Sequence, residues 1–404
     1  MEYGFGPAGM RHAAESVTEN SRRGLQWLHE QAWPLWLEHG VDWQRRGFLE
    51  HLDSGTLTCS ADFRRLRVAA RQTYVFSVAA SQGFAGARDA VELGLEFLKG
   101  PARLREGGFA WRFDLDNKPI DVTRDLYDHA FVLLAFATAA SVAKRESMRA
   151  EALGLIDYIV ATFRHPRGGF EESVPPAQPR RQNPHMHLLE AVLAAHEAFG
   201  DAVFLDHARE LVDLFLDRFF QTDDGALPEF FDEDLVPVRE HAKYLIEPGH
   251  HFEWVWLLDR YAKAASSAGK PVRSEIVGTT SALLRFADGF GVDAAKGLVV
   301  DGVWRDGSLQ SGGFRLWPQT ERIKGEIRRE SGAAEACCTA FAGLWRLLDG
   351  VRPGLWRERV NPDGSWAVSP SPATSLYHLT AALTDPALTK EEPVRAGAAD
   401  LVDS

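Results

Sequence analysis

Cysteine is scarce in this chain. Only three occur among 404 residues, Cys59, Cys337 and Cys338, and the last two are adjacent. With no CxxC spacing, neither a disulfide framework nor a cysteine-built zinc site can be assembled. The same scarcity fits a reducing compartment. Positive charge is also in short supply: 45 Lys and Arg face 57 Asp and Glu, for a net charge of −12. Phosphate backbones demand a basic surface, so no nucleic-acid partner is expected. No apolar run reaches the roughly 18 residues of a membrane span, and no membrane partner is expected. The opening segment MEYGFGPAGMRHAAESVTEN contains no apolar core of signal-peptide length. A cytoplasmic protein is the expectation.

Several catalytic signatures are missing as well. There is no HExxH, no P-loop, no GxGxxG after a strand and no GxSxG. His185 and His187 stand two apart, and His250 and His251 are neighbours. On a helix, neither spacing points both rings the same way. No metal and no nucleotide cofactor is expected.

What the chain does have is helical periodicity from end to end. Apolar residues recur with that period near 66–82, 88–99, 125–143, 149–163, 187–199, 203–219, 251–267, 274–289, 332–349 and 375–383. A glycine followed by an apolar or aromatic segment recurs six times, at Gly47, Gly108, Gly169, Gly225, Gly297 and Gly364. Successive intervals are 61, 61, 56, 72 and 67 residues, about one turn plus one helical hairpin. Six such hairpins close into an all-α (α/α)6 barrel with short β-hairpin loops at one end. The expectation is one barrel domain over 1–404. The polar segment from 386 to 404 reads as a disordered tail. The Pro-rich stretches 174–184 and 352–373 read as long loops.

Polar residues gather about 14 to 25 positions after each glycine, near the start of the apolar run. They are Arg71; Tyr127 and Asp128; His187; His250 and Glu253; Trp317, Gln319 and Glu321; and His378. Converging in a barrel, they would build a pocket of imidazoles, carboxylates, an arginine and aromatics. Such groups are costly to bury without partners. Each has a plainer reading too. The histidines can serve the core through backbone hydrogen bonds, Arg71 can pair with Asp125 or Asp128, and Glu253 can favour a helix N-terminus.

The segments NPHMHLLEA, PGHHFEW, WPQTE and YHL together resemble the N-acylglucosamine 2-epimerase family, from about Trp27 to His378. The PGHHFEW form is most similar to the mannose isomerase branch. The resemblance implies an (α/α)6 barrel that interconverts reducing sugars at C1 and C2 without redox cofactor or metal. It implies that His250 and His378 form the acid/base pair and that His187 assists ring opening. Arg71, Tyr127, Asn183, Glu253, Trp317 and Gln319 would position substrate, and Arg239 is the nearest match to an arginine the family carries before the PGH histidine. The residue types suit the chemistry. Histidine titrates near neutrality, so it can take the C2 proton and return it to C1 or to the other face of C2. Arg71 would stabilise enediolate oxygens. A mono- or disaccharide substrate is expected, and pairing of outer helices would give a homodimer. Two rivals remain: a glycoside hydrolase using Glu253 and Glu321, and a non-catalytic sugar-binding or scaffold protein.

Overall fold

A computed structural model of the chain describes residues 16–389. Its helices are α1 (Val17–Trp27), α2 (Trp33–His39), α3 (Leu66–Ser81), α4 (Ala87–Lys99), α5 (Leu126–Ala139), α6 (Arg145–Phe163) and α7 (Gln182–Phe199). They continue with α8 (Ala202–Leu214), α9 (Pro248–Ser267), α10 (Glu275–Phe286), α11 (Trp317–Glu326), α12 (Ala333–Leu348) and α13 (Ala373–Leu383). A π turn, Leu28–Ala32, joins α1 to α2. The odd-numbered helices from α3 to α13 pack each against the next, and α13 returns to α3. That closes an inner ring of six. The remaining helices lie outside it, giving the (α/α)6 barrel expected from the repeat.

The repeat glycines sit in the turns that follow each outer helix. Five of them, Gly108, Gly169, Gly225, Gly297 and Gly364, have φ between 61° and 88°, a conformation that costs a Cβ-bearing residue dearly. Gly47 differs. Arg46 before it takes the positive φ, and a Cβ at Gly47 would meet the Arg64 guanidinium at 1.9 Å.

Short antiparallel ladders tie each repeat to the next. The residues entering α3 pair with 112–114, those entering α5 with 173–174, and those entering α7 with 230–231. Those entering α9 pair with 302–304, those entering α11 with 359–360, and Ser371 and Pro372 before α13 pair with Leu52 and His51. The six ladders form a closed collar around one end of the barrel. All six inner helices begin there, so their first turns are fixed in position.

Two expectations need correction. Helix α11 (WPQTERIKGE) has no apolar period because its buried face is ionic: Glu321 with Lys324, and Arg322 with Glu326. Helix α1 (VTENSRRGLQW) is too polar for the same reading, and α2 (WPLWLEH) is apolar but only seven residues long. The tail expected from 386 opens with a 3-10 turn, Pro386–Thr389, whose Leu388 is buried. Residues 390–404 lie outside the described residues. Among the described residues no helix is long and apolar enough to cross a membrane.

Candidate active site

The helix starts converge on a cavity of about 350 Å³ at the collar end. Its lining includes Arg71 from α3, Tyr127 from α5, Asn183 and His187 from α7, and His250 and Glu253 from α9. Trp317 from α11 and Ser375 and His378 from α13 complete it, with Arg181, Glu229, Glu247, Arg315 and Glu358 at the helix entrances. Most of these residues fall in the first or second turn of an inner helix. The helix dipoles therefore point their positive ends at the cavity, where they favour negative charge. A larger cavity, about 800 Å³, opens at the opposite end. Its charges are largely paired among themselves: Arg260 with Glu197, and Arg328 with Asp259 and Asp385. The chemistry-bearing histidines line the smaller one.

The histidines divide into two sets. His129, His185 and His251 are structural. Each accepts a hydrogen bond from a backbone N–H in a glycine turn, at Phe109 (3.1 Å), Phe170 (2.9 Å) and Leu227 (3.1 Å). Their other ring nitrogens donate to the carbonyls of Asp125, Arg181 and Leu283. Burial lowers their pKa values to about 4, 3 and 4, which keeps them neutral. Gln319 fills the same role in repeat five. Its Oε1 accepts from Val299 N, and its Nε2 donates to the carbonyls of Val299 and Arg315. With its amide saturated by backbone, Gln319 does not reach the cavity, contrary to the expectation. Arg239 is also misplaced as a site residue. It is exposed on a loop, its guanidinium 5.9 Å from the Tyr244 ring. The arginines that line the cavity are Arg71, Arg181 and Arg315.

His187, His250 and His378 form the second set, and each has a carboxylate at Nδ1. His187 meets Glu190 at 3.1 Å, His250 meets Glu229 at 2.9 Å, and His378 meets Glu321 at 2.8 Å. This leaves Nε2 of each ring for chemistry, a proton arrangement set by the partner of the other nitrogen. His250 Nε2 lies 3.2 Å from the Asn183 amide. Trp317 stands against both His250 and His378, with ring centroids 4.8 and 5.9 Å away. Gly249 permits this: a Cβ there would meet the Trp317 ring at 2.7 Å.

The three imidazoles are tuned differently. Burial alone would lower His250, but Glu229, with Glu247 and Glu253 behind it, outweighs burial and raises the pKa to about 9. Burial lowers His187 to about 4 against the pull of Glu190. Burial, with Arg71 and Lys324 adding to it, drives His378 well below the ordinary value. At neutral pH, His250 is a cation and the other two are neutral.

Arg71 is 4% exposed and, among the described residues, has no carboxylate partner. It donates to the Tyr127 hydroxyl at 2.5 Å and lies over the Phe131 and Tyr377 rings at 4.1 and 4.8 Å. Asp128 does not compete for it, being paired with Arg67 at 2.7 Å. One group among the described residues, His187, Glu190 and Glu253, brings its ligand-type atoms within 4.8 Å of one another. Glu190 Oε2 is already taken by His187 and Tyr377. Burial and Glu321 push the Glu253 carboxyl well above its ordinary range, and among the described residues neither of its oxygens has a hydrogen-bond partner.

Repeats one, three and five also share a carboxylate device that sequence reading missed. Glu50, Glu172 and Asp301 each accept from the backbone N–H and Nε of an arginine just before an inner helix: Arg65, Arg181 and Arg315. Repeat four varies the pattern. Glu247 stands where the arginine would be, and Glu229 accepts from the Glu247 N–H and from His250. The only signal in the sequence is that a carboxylate follows each of these glycines by three or four positions.

A closed ring of helical hairpins with paired histidines at its mouth defines the class of barrel. The comparisons narrow it. The family model for N-acylglucosamine 2-epimerase (GlcNAc 2-epimerase) matches residues 47–382, and the chain belongs to that family. A Rhizobium meliloti (strain 1021) protein named mannose-6-phosphate isomerase is 38% identical over 374 residues, 88% of this chain and 94% of that protein. A D-mannose isomerase of Thermobifida fusca is 29% identical over 65% of this chain and 66% of its own length. A crystal structure of D-mannose isomerase shares the fold, with TM-score 0.80 at 20% identity over 90% of this chain and 97% of that one.

Proposed function

We propose that this protein is a sugar isomerase that converts D-mannose to D-fructose through an enediol. The observation that carries the reading is the pair His250 and His378, cationic and neutral at the same pH, against one indole in one cavity. His378 takes the proton from C2 while His250 protonates O1, and the electron pair becomes the C1=C2 bond of the enediol. His378 then returns its proton to C1 as His250 takes the proton from the O2 hydroxyl, leaving a C2 ketone. Both imidazoles end as they began, and no electron leaves the sugar, so the chemistry calls for no redox cofactor. His187 assists ring opening at O1 or O5. Arg71 and Tyr127 stabilise the negative oxygens, and Asn183, Glu253 and Trp317 hold the sugar.

A free sugar fits the cavity better than a phosphosugar. Arg181 is paired with Glu172, and Arg315 with Asp301 and Glu247. Among the described residues that leaves Arg71 as the lining arginine without a carboxylate partner, in a cavity that Glu229, Glu253 and Glu358 also line. The test is proton NMR of EDTA-treated protein in heavy water with D-mannose, D-mannose 6-phosphate, N-acetylmannosamine and cellobiose in parallel. Fructose carrying deuterium supports the reading. A C2 epimer as first product moves the assignment to 2-epimerase, and turnover of the phosphate ester alone refutes the free-sugar substrate.

A further inference from the structure

Lys324 is fully buried and does not line the cavity. It lies on α11, one turn beyond Glu321. Its Nζ is 2.5 Å from Glu321 Oε2 and 3.5 Å from the centre of the Trp256 ring. Glu321 is itself fully buried and meets His378 through its other oxygen. His378, Glu321 and Lys324 therefore form a line of three, with the cation at the far end. The His250 system has the same first two members and lacks the third. Glu229 is held by the Gln182 amide and the Glu247 N–H, and among the described residues no lysine or arginine pairs with it. Gln182 is fixed in turn by the Trp254 indole at 2.7 Å.

The remaining charges do not erase this contrast. Arg71 on α3 and His187 and Glu190 on α7 also act on His378. Around His250 stand Glu247, balanced by Arg315 at 3.1 Å, and Glu253, whose carboxyl is pushed well above its ordinary range by burial and Glu321. A carboxylate beside an imidazole favours the imidazolium only while its charge is uncompensated, and an ammonium in contact with it removes that effect.

We propose that Lys324 is a positioning residue: by cancelling the charge of Glu321, it keeps His378 the neutral proton acceptor, while Glu229, with no such cation, keeps His250 the protonated donor. The protonation states are thus assigned before substrate arrives, and the direction of the first proton transfer is built into α11. This inference rests on the proposed reaction for its meaning but not for its test.

The test is an NMR titration of the His378 ring in the full chain, which reports protonation whether or not any sugar turns over. In Lys324→Met, which keeps the side chain's length, the His378 midpoint rises by at least one pH value while that of His250 stays in place. In the double variant Lys324→Met/Glu321→Gln, the His378 midpoint falls back towards the wild-type value. In Glu321→Gln alone, where the ammonium is left unopposed, it falls or is unchanged, and this variant decides the matter should Lys324→Met not fold. An unmoved His378 midpoint in folded Lys324→Met overturns the proposal. So does a rise in Glu321→Gln, or a double variant that titrates like the single one. If D-mannose is a substrate, the acid limb of kcat/KM follows the same three shifts.

Discussion

Replacing Glu229 with Gln isolates the charge that makes His250 an acid. The gap between an ordinary histidine at 6.5 and one raised to about 9 corresponds to about 3 kcal/mol in favour of the imidazolium. Glu229 is the nearest contributor, and Gln keeps its shape and an oxygen for Nδ1. With that charge gone, burial dominates and the midpoint falls below the ordinary histidine value. The alkaline limb of kcat/KM, near pH 9 in the wild type, then moves down past neutrality, and activity at about pH 8 drops roughly tenfold or more. Stability supplies a second readout. A raised folded-state pKa adds stability that is complete below 6.5 and lost as pH climbs through about 9. Wild-type protein should therefore unfold at lower denaturant at pH 10 than at pH 7, and the Gln variant should show less of that loss. An alkaline limb that stays near 9 in Glu229→Gln refutes the argument and makes another group the acid.

Other substitutions separate the two histidine sets. His250→Ala or His378→Ala should cut turnover by about 10²–10⁴-fold while isothermal calorimetry still detects the sugar, whereas a pure binding protein loses nothing measurable. His185→Ala should cost about 1–3 kcal/mol of stability by orphaning the Phe170 N–H, seen in denaturant melts, with kcat of the folded fraction intact. Gly249→Ala should push Trp317 from its place, raising KM and changing the indole fluorescence. Treatment with EDTA followed by gel filtration should leave turnover of D-mannose unchanged.

Most of the barrel was legible because outer and inner helices keep an apolar period and the turns keep a glycine. The site blurred that signal at its own location. Helices α7, α9 and α13 begin before the apolar runs at 187, 251 and 375, because their first turns carry Asn183, His250 and the other polar groups of the cavity. Motif resemblance gave roles to His187, His250 and His378 and none to His185 and His251. The backbone partners supply the physical reason for that division. Gln319 looked like a substrate-positioning residue, but a polar side chain at the start of an inner helix serves the neighbouring turn as readily as a sugar. Glu229 and Lys324 were invisible because their importance lies in pairing across the fold. One follows a glycine turn in repeat four, and the other hides in a helix whose buried face is ionic.

The collar also governs when a newly made chain becomes whole. Its last ladder joins Ser371 and Pro372 to Leu52 and His51, residues far apart along the chain, so closure waits until both segments have been made. His378 arrives just after that point. A nascent chain stalled earlier holds most of its hairpins but no proton acceptor, and it exposes a short unpaired edge at 51–52. A chain released before residue 378 therefore carries neither the closing ladder nor a complete site.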